Sequence, residues 1–168
     1  MSICSCRQHT VGIDGRPMTH AMPRYILSTA SRTKLVGVHA DLIRVVERAI
    51  ATTTQDFMIG EGVRTLERQR ELYAQGRTKP GRIVTDTMKS RHLTGHAVDL
   101  WPYPKLPNGD IDWNNKQAFF RIGKAMLGAS VELGVPIRWG YDWDGDGVLM
   151  ERGEYDGPHF ELAKRWYP

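Results

Sequence analysis

Apolar positions first settle into a helical rhythm at Thr33. Leu35, Val38, Leu42, Val45, Val46, Ala49 and Ile50 recur at three- and four-residue steps, with Lys34, Asp41, Arg44, Glu47 and Arg48 between them. That spacing predicts one amphipathic helix of roughly 18 residues laid on a core, with His39 on its surface or flank. Phe57 to Val63 reads as a buried strand in which Gly60 and Gly62 allow close backbone approach. Thr65 can cap a short helix from Leu66 to Ala74, stopped by Gly76. Residues 77–90 are polar and carry Gly and Pro, as a long loop does. Ala97 to Trp101 follows as a second strand, ended by Pro102 and Pro104, and Pro107-Asn108-Gly109-Asp110 is a turn. Asn114 or Asn115 can cap the next helix, whose buried side is Ala118, Phe119, Ile122, Ala125, Met126, Ala129, Val131 and Leu133. Gly134 and Pro136 close it. Ile137 to Gly140 and Pro158 to Leu162 are two further strands, separated by a loop rich in glycine and aspartate.

Helices interspersed with short, late-clustering strands predict an α+β domain, with a small, mainly antiparallel sheet packed against helices. Periodicity leaves the strand order open. Gly12, Gly15, Pro17 and Pro23 break any pattern near the start. Residues 1–30 are therefore expected to form an N-terminal extension, with some order around Tyr25, Ile26 and Leu27, and residues 31–168 the domain.

Length and composition narrow the function classes. At 168 residues and 19.1 kDa the chain is one domain with room for a core, and 40% hydrophobic with 25% charged residues is ordinary globular composition. A net charge of +4 fits either a plain soluble surface or attraction to an anionic polymer such as nucleic acid or the bacterial envelope. No run of Lys and Arg interleaved with aromatics is present, which argues against nucleic acid. Nothing approaches the roughly 18 apolar residues of a membrane span, and residues 1–23 lack the apolar segment of a signal peptide. The protein is thus expected to start in the cytoplasm of the cell that makes it. Cys4 and Cys6 lie too close in sequence to staple distant elements. With His9 they could hold a metal, although two incidental thiols in a tail is the simpler account.

Chemistry gathers at four places. His92 and Asp99 flank Gly95 in Ser90-Arg91-His92-Leu93-Thr94-Gly95-His96-Ala97-Val98-Asp99. Imidazole nitrogen with carboxylate oxygen suits a borderline cation such as Zn²⁺, and the glycine lets the connection turn tightly. Asp156-Gly157-Pro158-His159-Phe160-Glu161 offers a further histidine and, three residues before it, an acid placed to take a proton from water. Alone, it reads more simply as a turn aspartate before a partly buried histidine. Arg64 ends the first strand and could meet a substrate carboxylate or an oxyanion, or be an ordinary surface arginine. Asp142-Trp143-Asp144-Gly145-Asp146-Gly147 resembles the first half of an EF-hand Ca²⁺ loop. The glutamate expected at its twelfth position is replaced by Gly153, with Glu151 and Glu154 the nearest substitutes.

Taken together, S-R-H-L-T-G-H-A-V-D-L, D-G-P-H-F-E-L, G-V-R-T and W-G-Y-D-W resemble the motifs of the zinc D-Ala-D-Ala carboxypeptidase and dipeptidase family, and they follow the family's order along the chain. The resemblance implies the zinc peptidase fold shared by hedgehog and D,D-peptidases. It also implies a Zn²⁺ held by His92, Asp99 and His159, Asp156 as catalytic base, and Arg64 stabilising substrate or transition state. Ser90, His96 and Glu161 would support the ligands, and Trp143 would line the substrate site. An aspartate base and the short chain look most like phage endolysins that cut the L-alanyl-D-glutamate bond of peptidoglycan stem peptides, a subgroup with a Ca²⁺-sensitive loop at Asp142, Asp144 and Asp146. The implied protein is a monomeric lysis enzyme, held in the host cytoplasm until a membrane pore opens, binding neither nucleic acid nor membrane. A D-Ala-D-Ala carboxypeptidase and a non-catalytic, zinc-containing wall-binding module are the alternatives.

Overall fold

The computed structural model describes residues 24–168. The Cys4, Cys6 and His9 cluster and most of the expected extension lie outside them. Four strands, β1 (Phe57–Glu61), β2 (Ala97–Pro102), β3 (Ile137–Gly140) and β4 (Asp156–Leu162), form one antiparallel sheet in the order β1-β2-β4-β3. Four helices accompany it: α1 (Thr29–Lys34), α2 (Ala40–Thr52), α3 (Leu66–Ala74) and α4 (Lys116–Leu133). The α+β expectation holds.

Alternation along the strands separates two faces. Ile59, Val98, Leu100, Phe160 and Leu162 are wholly buried, in one core with Leu42, Val45, Val46 and Ile122 of α2 and α4. Trp139 belongs to the same core, stacked on Phe160 at 5.8 Å. A Cβ added to Gly123 of α4 would fall 2.4 Å from the Trp139 ring, so helix and sheet approach closely there. The residues between, Asp99, His159 and Glu161, point to the opposite face. There Asp99 pairs across the ladder with Glu61 on one side and His159 on the other, and Glu161 pairs with Arg138.

Helix α3 spans the predicted residues, with the Thr65 side chain accepting from Arg68 N. Asn115 caps α4 and Gly134 ends it in the left-handed conformation. Two expectations fail. The single helix from Thr33 is instead α1 and α2, separated by a turn in which Gly37 has φ +82° and Val36 is 75% exposed. A turn there buries Leu35 and Val38 as well as a helix would, and His39 restarts the helix as the N-cap of α2. Val131 is 84% exposed, because at 100° per residue it falls off the stripe set by Ile122, Met126 and Ala129. Within the segment assigned to the extension, Leu27 is buried and Arg24 N–H bonds Ala51 O, so residues just before α1 pack on the domain.

The α1–α2 turn positions the chemistry. His39 N donates to Gly95 O at 2.8 Å, and a Cβ on Gly95 would fall 2.3 Å from Gly37 O. Gly95 itself has φ +70°, so this contact and this conformation both require glycine.

Candidate metal centre and cleft

His92 lies in a 3-10 turn, Arg91–Thr94, that Ser90 caps by accepting from His92 N. Gly95 reverses the chain and delivers Asp99 to the middle of β2. His159 enters from β4, directly across the ladder from Asp99. Three donor atoms converge: His92 Nε2 to His159 Nδ1 is 3.2 Å, and each lies 3.3 Å from Asp99 Oδ1. Four ligands about 2.0–2.1 Å from a tetrahedral zinc stand roughly 3.3–3.4 Å from one another, so this triangle matches one face of such a site.

The outer nitrogens fix the tautomers. His92 Nδ1 donates to Gly62 O at 2.7 Å, and His159 Nε2 donates to Glu161 Oε2 at 3.1 Å. Both partners are acceptors only, so the inner nitrogens are free to present lone pairs to a cation. The two carboxylates call for positive charge. Burial disfavours a charged His159, yet its bonds to Asp99 and Glu161 outweigh this and push it up to about 9. Burial likewise opposes ionised Asp99 and Glu161. Bonds from His159 and His92 nevertheless hold Asp99 well below the carboxylate range, and bonds from His159 and Arg138 hold Glu161 at about 2. A metal ion would displace the proton from His159 Nδ1 and supply that charge. The donor set fits a divalent metal of the zinc class.

A cleft of about 820 Å³ opens over the triangle, and Arg64, Arg138, Trp143, Tyr155 and Asp156 line it. Asp156 begins β4 at the cleft mouth, where water reaches its surface while protein atoms crowd the carboxyl. This crowding raises its pKa; nearby His159 works against the rise and Asp99 reinforces it. Trp139 Nε1 donates to Gly157 O at 2.7 Å, and a Cβ on Gly140 would strike Asp156 O. These contacts explain why W-G-Y-D-W accompanies D-G-P-H: the tryptophan and glycine seat the segment that carries the acid.

Arg64 is more enclosed than a substrate-binding arginine at a strand end would suggest. Its side chain is 8% exposed, its Nη1 donates to buried Gln69 at 2.7 Å, and Nη2 pairs with Glu61 and lies 3.7 Å from Asp99 Oδ2. It therefore steadies the outer oxygen of Asp99 while facing the cleft. Trp143 stands 5.1 Å from the His159 ring, on the cleft wall. His96 lies apart from the triangle, against Thr94 Oγ1 at 2.9 Å and the His39 ring at 5.3 Å.

Carboxylate oxygens of Asp142, Asp144 and Asp146 lie within 4.8 Å of one another. Each accepts loop amides: Asp142 from Gly145 and Gly147, Asp144 from Asp146, and Asp146 from Val148. Beneath them, buried Glu154 accepts from Trp143 N and Asp144 N through one oxygen, and the other has no partner. Glu61, Gln69 and Arg138 are neighbours of the site that no sequence motif marks. Their one signal in the sequence is a charged or amide residue at an inward position of a strand or helix.

The profile of the family described as phage L-alanyl-D-glutamate peptidase matches residues 24–163. The L-alanyl-D-glutamate peptidase of Escherichia phage T5 is 38% identical over 136 residues, covering 79% of this chain and 94% of that protein. The peptidoglycan L-alanyl-D-glutamate endopeptidase CwlK of Bacillus subtilis is 34% identical over 130 residues, 76% of this chain and 71% of that one. Among solved structures, the L-Ala D-Glu endopeptidase ChiX of Serratia marcescens superposes with a TM-score of 0.67 at 36% identity, covering 86% of this chain and 96% of that chain. With the family profile matching residues 24–163 and relatives 34–38% identical over most of their length, the chain belongs to the phage L-alanyl-D-glutamate peptidase family.

Proposed function

We propose that the protein is a zinc peptidase that hydrolyses the L-alanyl-D-glutamate bond of peptidoglycan stem peptides. The observation that carries this reading is the His92–Asp99–His159 triangle with Asp156 in the same cleft. Its catalytic domain is taken as residues 31–168, acting as a monomer on the wall of a phage-infected host after release through a membrane pore. Among the described residues no helix is long and apolar enough to cross a membrane.

His92, Asp99 and His159 would hold the metal. When bound, Zn²⁺ supplies Lewis acidity, which polarises a carbonyl and acidifies water. Asp156, with its pKa raised toward working pH, accepts the proton of the attacking water and passes it to the departing amine. Arg64 holds Asp99 and meets charge developing on the peptide carbonyl oxygen. Trp143 offers an aromatic wall, and Lys89, Arg91 and Lys164 are cations on the cleft lining that suit the carboxylates of a stem peptide. The test is the identity of the amino terminus released from purified peptidoglycan, with D-glutamate expected.

Regulation by Ca²⁺ at Asp142, Asp144 and Asp146 is part of the same proposal. Ca²⁺ takes six to eight oxygens, and the clustered carboxylates with the unpartnered Glu154 oxygen nearby are chemistry of that kind. Glu151 extends the cluster: the carboxylates around it, Asp146 foremost, raise its pKa. After chelation and restoration of zinc alone, activity is expected to rise several-fold on adding Ca²⁺. Equal rates with and without Ca²⁺ would rule this regulation out.

A further inference from the structure

Arg138 stands on β3, outside both the ligand triangle and the motifs that led to it. Directly across β4 lies Glu161, to which Arg138 Nη2 donates. The other Glu161 oxygen accepts from His159 Nε2. Arg138 Nη1 donates to Trp143 O at 3.1 Å, and the guanidinium carbon lies 4.9 Å from the centre of the Trp143 ring. That ring, in turn, lies 5.1 Å from the His159 imidazole. One guanidinium therefore grips two of the groups around the His159 ring: the carboxylate on its outer nitrogen and the indole beside it.

We propose that Arg138 is a positioning residue for the metal centre, setting the orientation and donor strength of His159 through Glu161 and Trp143. The inference rests on the zinc reading above. Its physical basis is the rigid fork of the guanidinium, which presents donors in fixed, divergent directions that a lysine ammonium cannot reproduce. A carboxylate bonded to a ligand imidazole fixes its ring and raises its basicity, but only while the carboxylate is itself held. Glu161 is held from its far side by Arg138. Because Arg138 also ties β3 to the loop that begins at Asp142, an ordered loop and a well-oriented His159 share one residue.

The test measures zinc affinity of the full chain by competition with a chromogenic chelator, beside the thermal midpoint of the metal-free form. Arg138→Gln is expected to bind zinc about tenfold more weakly. Arg138→Lys, which keeps a charge for Glu161 but loses the bond to Trp143 O, should fall between. In a Glu161→Gln background the Arg138→Gln change should cost clearly less than it does alone, since the Glu161 part of its route to His159 is already cut and only the Trp143 part remains. A merely structural role would lower the thermal midpoint and leave zinc affinity untouched. If wild type binds zinc tightly and Arg138→Gln stays within about twofold of it, or if the two changes are additive, the proposal is overturned. Should Arg138→Gln not fold, wild-type affinity in Arg138→Lys overturns it equally. A wild type that binds no zinc would instead overturn the metal reading, and this inference with it.

Discussion

Asp156→Asn is expected to lose nearly all hydrolysis while keeping its metal and its fold. Among the acids that line the cleft, the carboxylate is the one left without a structural partner: Asp99 joins the triangle, Glu161 is bound by His159 and Arg138, and Asp86 is bound by Arg77. General-base catalysis by one group contributes about 10²–10⁴ in rate, and a loss of that size in kcat is predicted. An amide cannot take the proton. The effect on stability has the opposite sign. A carboxyl whose folded-state pKa is raised makes folding less favourable as pH climbs from its unfolded value through the folded one, and fully so above both. Removing the charge should therefore leave the urea midpoint at pH 7 unchanged or slightly higher. The same raised pKa places the acid limb of the wild-type pH–rate profile above the ordinary aspartate range. Measurement of kcat, bound zinc and urea midpoint on one preparation checks the prediction. A variant with more than about a tenth of wild-type kcat would remove Asp156 from the role of base.

His159→Ala is expected to abolish both metal binding and activity. The triangle would lose one of its three donors, and a zinc site with two protein ligands is far weaker. The change also strands carboxylates: Asp99 loses a hydrogen-bond donor and Glu161 loses its partner on the triangle side. Unpaired buried charge costs about 3–5 kcal/mol, and Arg138 still meets Glu161, so about 3 kcal/mol of lost stability is predicted. Elemental analysis after dialysis against a weak chelator should give near-stoichiometric zinc for wild type and almost none for the variant. Unchanged zinc content in a folded His159→Ala protein would show that the ion sits elsewhere.

Much of this site is legible in the sequence because its parts are local. Ser90 and Gly95 bracket one turn and Thr65 caps one helix, so spacing alone conveys their relation, whereas the roles of Asp156 and His159 follow only from the family resemblance. Partnerships that cross the sheet are not legible. Arg138 and Glu161 are 23 positions apart and meet only because β3 lies beside β4. Arg64, with its local partners Glu61 and Gln69, reaches Asp99 only through the β1–β2 register. Hydrophobic periodicity also misses the break at Gly37, since Leu35 and Val38 are buried whether the chain between α1 and α2 is helix or turn. His96, inside the richest motif, packs against Thr94 and His39 rather than against the triangle, a contact across the chain to the N-cap of α2 that no local spacing discloses.

The most direct test of the proposed activity is mass spectrometry of fragments released when the zinc-loaded protein digests purified peptidoglycan. New peptides beginning with D-glutamate, with L-alanine left on the glycan, are the predicted result. Release of terminal D-alanine alone, or no fragments from a fully metallated protein, would contradict it.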